Sequence, residues 1–518
     1  MRILNLSGLS GIEYDKKNNL NQFLIIIMMG LVSMLSAEAD DKHPSYNLFR
    51  YNEDWSELAH KEQLKSTDFF DPVKYIPLNQ SGSNWLSFGF EERVRVEKWS
   101  DFQFDPSGTK DNQDAFVLNR IRTNVDLHLG PNLRLFAELK SAIEGFRSLP
   151  SNRRRQDRDT IDLQNLFADF TSPLGAVLSG DNRIVLRVGR QEMARGSERF
   201  IGSRNFANVR QSFDGINAML YAGGWRFSAF GLRIVRDLSL GEVKPDSFNN
   251  FNLPDSNSGF FGIYGEGFVP SLLSNAIGFG PMGLDLYVLR RDDDQVFNGT
   301  GGNSDRYAVG GRLHGKFPMA SFGYEIEGAY EFGNIHRQGQ DADINASMFT
   351  VALNYQPTQR TPLAVGPVDL KMIQIGFDYA SGDNNPGGDV QTFDPMFQTR
   401  HKFFGFMDFI GRFNIMDLRP RIDFSIGKRT TFRIDQHIFW RSEKQDALYS
   451  VSGGVIAPGR TGSNRYVGTE TDLTLKHRLN RHTDIETGFS HFYTGDFLDN
   501  AALSEDSDWF YLMMTYTF

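Results

Sequence analysis

The sequence has no cysteine in 518 residues. Disulfide staples, thiolate catalysis and Cys-ligated zinc are therefore all excluded. Long apolar runs are almost as scarce. Phe23–Ala37 is the single one, and it is short for a membrane-spanning helix. It follows Lys16 and Lys17 and ends in Ala37-Glu38-Ala39, a small-x-small site, so it reads as a secretory signal peptide cleaved before Asp40. A basic excess is missing too: 55 Lys and Arg face 64 Asp and Glu, a net charge of -9, which argues against nucleic acid as a partner. No HExxH, GxSxG or phosphate-loop signature occurs, so an enzyme, a cofactor and a resident metal are not expected. His128, His314, His437, His482 and His491 stand alone and read as polar liners rather than ligands. Asp292–Asp294 is too short a run to make a calcium site.

What is present is glycine and aromatic residues. The chain has Gly 50, Phe 45 and 13% aromatics, yet its mean hydropathy is only -0.40. That pairing fits a β-barrel with an apolar outside and a wet inside. With no second apolar run, residence in a membrane requires a barrel, because an open sheet edge cannot be satisfied in lipid.

Period-two alternation runs through the chain from Trp85. Leu86, Phe88, Phe90, Val94 and Val96 share one parity, against Glu91, Arg93 and Arg95. Ile121, Val125 and Leu127 oppose Arg120, Arg122 and Asp126; Leu135, Ala137 and Leu139 oppose Arg134, Glu138 and Lys140. The code recurs around Arg312, Arg433 and Asp435. It ends on DWFYLMMTYTF, Asp508–Phe518, where Phe510, Leu512, Met514, Tyr516 and Phe518 form an outward face. Tyr511, Met513, Thr515 and Thr517 then face the lumen.

Tight turns at Gly130–Asn132, Gly223–Gly224, Pro318–Ala320, Gly427–Arg429 and Asn480–Arg481 alternate with long polar loops such as Arg195–Asn208, Gly382–Lys402 and Ser442–Asn464. The expected fold is an all-β transmembrane outer-membrane barrel of about 18 antiparallel strands, with short periplasmic turns and long extracellular loops. Strands near Asp162–Phe170, Gly259–Phe268 and Asp408–Asn414 are weakly patterned. A solenoid or propeller would show a repeat of fixed length, and none is seen. The expected division is a signal peptide over 1–39, a polar periplasmic lead-in over 40–83 and the barrel over 84–518. The wide lumen is expected to hold water rather than a packed core.

Charges on the inward parity would line that lumen. Arg93, Arg95, Arg120, Arg122, Asp126, Glu138, Arg187, Arg312, Arg433, Asp435 and Arg441 are the candidates. They form either a solvated ladder of mutually neutralising charges or an anion filter, since fixed positive charge selects anions and the guanidinium fork matches a carboxylate. The aromatic run Thr392–Gly405 is too long for a hairpin. It is either an extracellular loop packed on its own Phe cluster or a loop folded inward to narrow the pore.

Three stretches go beyond a generic barrel: GRQEMARGSERFIGSRNFANVRQSFDG (Gly189–Gly215), ASGDNNPGGDVQTFDPMFQTRHKFFGFMDFIGRFN (Ala380–Asn414) and HFYTGDFL (His491–Leu498). With RYNEDW and KYIPL in the lead-in, the chain resembles the alginate-export family of outer-membrane proteins from about Arg50 to Phe518. The resemblance implies a monomeric barrel in the Gram-negative outer membrane, whose arginine-rich constriction passes the polyuronate alginate outward. Arg190, Arg204, Arg210 and Asp214 occupy the family's GRQ…R…R-FDG segment, which adds Arg190, Arg210 and Asp214 to the expected substrate-binding set. The implied partners are an anionic polysaccharide or small anionic solute, outer-membrane lipid, the barrel assembly machinery and periplasmic export partners. Uptake of sugars or organic anions is the alternative transport reading. An outer-membrane enzyme would need a nucleophile and base converging at one rim. An adhesive barrel would need a plugged lumen.

Overall fold

The computed structural model describes residues 43–518 apart from 64–67, 105–111, 151–153, 155, 176–181, 237–250, 271–273, 275–279, 296–300, 318–320, 338, 363 and 460–463. The expected signal peptide and the expected turn Pro318–Ala320 lie outside the described residues.

Eighteen antiparallel strands close into one barrel. In chain order they are β1 (Asn84–Ser100), β2 (Asp114–Leu129), β3 (Leu133–Gly145), β4 (Asp159–Pro173), β5 (Arg183–Gln191) and β6 (Phe213–Ala222). Next come β7 (Trp225–Arg236), β8 (Ser258–Phe268), β9 (Met282–Gln295), β10 (Gly301–Lys316), β11 (Phe322–Arg337) and β12 (Gln340–Tyr355). The last six are β13 (Val368–Ala380), β14 (Ile415–Ile426), β15 (Thr430–Trp440), β16 (Tyr466–Arg478), β17 (Thr483–Thr494) and β18 (Ser507–Thr517). Each strand pairs with its neighbour in sequence. The ring shuts where β18 meets β1 in the register Ser100↔Asp508 to Glu91↔Thr517. Two further backbone bonds between Phe90 and Phe518, of 2.8 and 2.9 Å, extend the seam to the last residue.

Alternation sets the two faces. Ile263 is 63% exposed, Leu286 55% and Phe510 44%. Such side chains on a soluble surface would be costly, but here they form the apolar outer wall. On β1 the other parity, Trp85 to Trp99, is buried throughout. The expected hairpins at Gly130–Asn132, Gly223–Gly224 and Gly427–Arg429 all join consecutive strands at one end, here the turn end. That end also has a longer link, 356–367, while β11 and β12 are joined at the loop end by residues 338–339 alone.

Of the weakly patterned stretches, two are strands, β4 and β8. The third is not: 408–414 is irregular, with Asp408 and Asn414 at φ 56° and 47°, and the strand begins only at Ile415. Left-handed residues at both ends break the period that a strand needs.

The interior also differs from the open, watery lumen expected of a barrel this wide. Two links fold inward, 192–212 between β5 and β6 and 381–414 between β13 and β14. They build a packed interior around Phe200, Ile201, Phe397, Phe404, Phe409 and Ile410, all buried. Inward Tyr511 is fully buried against this core rather than facing water. Aromatic side chains supplied by the links gain more from burial than the lumen gains from hydration.

At the turn end the lead-in lies under the seam. Phe70 stacks on Phe518 with ring centres 4.1 Å apart, and Arg50 Nη2 donates to the Phe518 carbonyl at 2.6 Å. Trp55, Leu58, Tyr75 and Trp85 form a small core there. No helix among the described residues is long and apolar enough to cross a membrane; the strands make the crossing surface.

Candidate functional site

The two inward links form one unit across the barrel. The 192–212 link, termed the strap, meets the 381–414 loop at a parallel bridge between Ile201 and Phe397. Gly202 N–H donates to the Phe397 carbonyl (2.9 Å) and Phe397 N–H to that of Phe200 (3.0 Å), and Thr399 N–H adds a bond to the Glu198 carbonyl (3.0 Å). A Cβ on Gly202 would stand 2.4 Å from the Thr399 nitrogen, so only glycine permits this approach. The sharper of the two readings for Thr392–Gly405 is therefore the one observed: the loop folds inward.

The wall grips the strap through arginines. Arg93 donates to the carbonyls of Asn205 (2.7 Å), Phe206 (2.9 Å) and Ala207 (2.8 Å). Arg120 reaches Asn205 (2.9 Å) and Ala207 (3.2 Å) and pairs with Glu91 (2.7 Å). Arg95 donates to Phe206 (2.6 Å) and to Glu97 (2.8 Å). Beside them Arg122 forks onto Glu138 and meets Glu91, and Glu192 of the strap forms an ion pair with Arg210 at 2.6 Å. On the opposite wall Arg199 of the strap pairs with Glu327 (2.8 Å) and Glu325, and Tyr287 donates to Glu327. The loop hangs from carboxylates: Met407 N–H donates to Glu470 (2.9 Å) and Phe406 N–H to Asp472 (3.2 Å).

Arg93, Arg95, Arg120 and Arg122 thus converge on the strap, Glu138 holds Arg122 there, and Arg210 is itself a strap residue paired with Glu192. The remaining expected residues are dispersed. Asp126 pairs with Arg134, and Arg187 with Asp169 beneath the ring of Tyr51. Arg190 forks onto Asp214 and also donates to the Asn252 carbonyl. Arg312 bonds Asp285, Arg433 bonds Asp423 near the turn end and Asp435 holds Arg419. Arg441 caps loop carbonyls of Lys444 and Asp446 over the ring of Phe497. Most of the inward charge is paired and buried, as in a neutralising ladder.

Two cavities border the strap. The loop-end cavity is about 1270 Å³ and is bordered by Arg204, Arg400, His401, Phe206, Gln211 and Trp509. The turn-end cavity is about 700 Å³ and is bordered by Arg183, Tyr221, Arg226, Glu266, Arg312 and His314. Arg204 differs from the arginines that grip the strap. It has no hydrogen bond and no carboxylate partner among the described residues, and its Nε is buried without an acceptor. Burial, then the positive charges of Arg400 and Arg291, push its guanidinium well below the ordinary value. Arg400 is also lowered by burial, with Asp408 opposing; among the described residues its guanidinium donates to Gln156 alone, at 3.3 Å. An incoming anion would supply the counter-charge that Arg204 lacks. Arg204 sits in the recognised segment, but no period flags a loop residue, so parity left it out of the expected set. Among the described residues no group of His, Asp and Glu is arranged to hold a metal.

A family model described as alginate export matches residues 84–511. Among solved structures the chain is similar to Pseudomonas aeruginosa OccK11 (OpdR), at 12% identity and TM-score 0.50 over 83% of this chain and 95% of that one. It is similar to Acinetobacter baumannii OccAB1, at 9% identity and TM-score 0.50 over 86% and 99%. It is also similar to P. aeruginosa OpdK crystallised with vanillate, at 10% identity and TM-score 0.50 over 83% and 98%. At these identities the likeness is one of fold. No curated protein matches the chain.

Proposed function

The chain belongs to the alginate-export family of outer-membrane barrels, and from that premise we propose that it is a channel for a carboxylate-bearing saccharide, an alginate-like polyuronate, which it selects at Arg204 and Arg400. Its porin-type fold supports solute passage across the outer membrane. The observation that carries the anionic cargo is Arg204, a cationic side chain that borders an open cavity and pairs with no carboxylate among the described residues. Conduction needs a site that can also be left. The buried pairs around Arg122 and Arg199 do not exchange partners with cargo readily, whereas Arg204 has no partner to give up among the described residues.

Reversal potentials in planar bilayers test this. The wild-type channel is expected to prefer anions and to be blocked by oligouronate. Arg204→Gln and Arg400→Gln are expected to lower both the preference and the block. Cation preference, or indifference to oligouronate, would sink the proposal. A second reading, uptake of small organic anions, is supported by the strap and loop that fill the interior. It predicts that block is as strong with a monomeric uronate as with a longer oligomer.

A further inference from the structure

We propose that Arg93 and Arg120 are positioning residues: they hold the strap by its carbonyls and thereby present Arg204 to the loop-end cavity, without meeting the cargo themselves. The inference rests on the anion-channel reading above and adds residues to it.

Both side chains are buried, at 3% and 2% exposure, and neither borders either cavity. Their donors are already committed. Arg93 gives its two terminal nitrogens to the carbonyls of Asn205, Phe206 and Ala207 and meets no carboxylate among the described residues. Arg120 adds a second donor to Asn205 and Ala207 and uses its other nitrogen on Glu91. Three successive carbonyls aimed at one wall are not the product of regular backbone. The bend that makes them converge begins at Arg204, which sits in the left-handed region at φ 54° without being glycine. A guanidinium suits this grip because its donors, spaced along one plane, can serve adjacent acceptors, whereas an ammonium is a point charge. Arg95 also bonds the Phe206 carbonyl, but it borders the cavity and lies on the Phe206 ring at 4.0 Å, so it is not assigned the same isolated role.

The distinction is one of geometry against charge, and Arg→Lys separates them. Because the chain has no cysteine, one introduced thiol reports strap accessibility cleanly. Ser203 is buried on the strap beside Arg204, so Ser203→Cys is the probe site. In the full-length barrel, Arg93→Lys and the double variant Arg93→Lys/Arg120→Lys keep every charge. They are expected to lose anion preference down to the level of Arg204→Gln, with no further loss when Arg204→Gln is added. Labelling of Ser203→Cys by a water-soluble maleimide is expected to quicken by about tenfold as the strap loosens. Wild-type selectivity in the lysine variants would overturn the proposal, because charge alone would then suffice. So would a loss that adds to that of Arg204→Gln, because the arginines would then touch cargo directly. If the double variant fails to assemble, the single Arg93→Lys carries the test. If Arg204→Gln itself leaves selectivity unchanged, it is the choice of Arg204 as filter that fails. The labelling rate then decides the positioning role alone: faster labelling upholds the grip on the strap, and an unchanged rate refutes it.

Discussion

At the residue scale the inner wall is a set of ionic contacts of unequal worth. Arg122 is buried and joins Glu91, Glu138 and Glu192, the strap's own carboxylate, within 3.6 Å. Removing Arg122 leaves Glu138 buried without a paired cation among the described residues, while Glu91 keeps Arg120 and Glu192 keeps Arg210, so Arg122→Leu is expected to cost about 3–5 kcal/mol. Arg433, whose side chain is 29% exposed beside Asp423, is a contrast; Arg433→Leu should cost at most about 1 kcal/mol. Thermal melts in detergent would separate the two. Gly202→Ala would drive a methyl into the Thr399 backbone. It is expected to destabilise by about 1–3 kcal/mol and to raise conductance by parting strap from loop. Parity alone marked Arg93, Arg95, Arg120, Arg122 and Glu138 as inward, because a period of two identifies a face. It was silent on what covers them. The strap that takes their donors is remote in sequence and carries no period, and a carbonyl acceptor leaves no trace in residue identity.

Among the elements the lead-in is the one whose docking titrates. Asp68 accepts from His482 Nε2 and from Phe70 N–H, each at 2.8 Å. Burial raises its carboxyl, but these bonds, with the charges of His482 and Arg481, outweigh it and hold the group at about 2. A carboxylate lowered in the docked state favours docking in full above its ordinary value of 3.8, and the contribution disappears as pH falls through about 2. Pepsin should therefore cut the lead-in increasingly between those values, and Asp68→Asn should flatten the dependence. Lys74 works in the other direction. Burial, then the charge of Arg50, lowers it to about 7 against the pull of Glu53. Its docked state disfavours the proton, so docking is penalised below about pH 7 and improves as pH rises toward 10.5. Lys74→Met should remove that gain, read as protection of the lead-in from protease between pH 7 and 9. Strands were readable where one face is lipid. At 408–414 the apolar residues serve the interior packing instead, and left-handed Asp408 and Asn414 broke a pattern that looked strand-like.

For the whole molecule, alternation and turn spacing made the barrel and its eighteen strands legible, because lipid on one side leaves few other arrangements. The filled interior was not legible, since it depends on how two distant links meet. The last residue joins the wall to the lead-in. Phe518 pairs with Phe90, stacks on Phe70 and takes the Arg50 hydrogen bond. A chain ending at Thr517 should lose all three, and its folded band on unheated gels should convert to the unfolded band at a lower temperature than that of the full chain.

That contact between Arg50 and Phe518 spans 468 positions of sequence. Chain ends so far apart meet only after the intervening hairpins are in place, so the seam is the slow, late step of assembly. The same delay acts in reverse. The β1–β18 pairing joins the first and last strands and no turn tethers it, so if opening starts there the barrier to parting its register, rather than the depth of the free-energy well, sets the lifetime of the barrel. Weakening the seam with Arg50→Ala should therefore shorten the half-life in denaturant while leaving the refolding rate nearly unchanged.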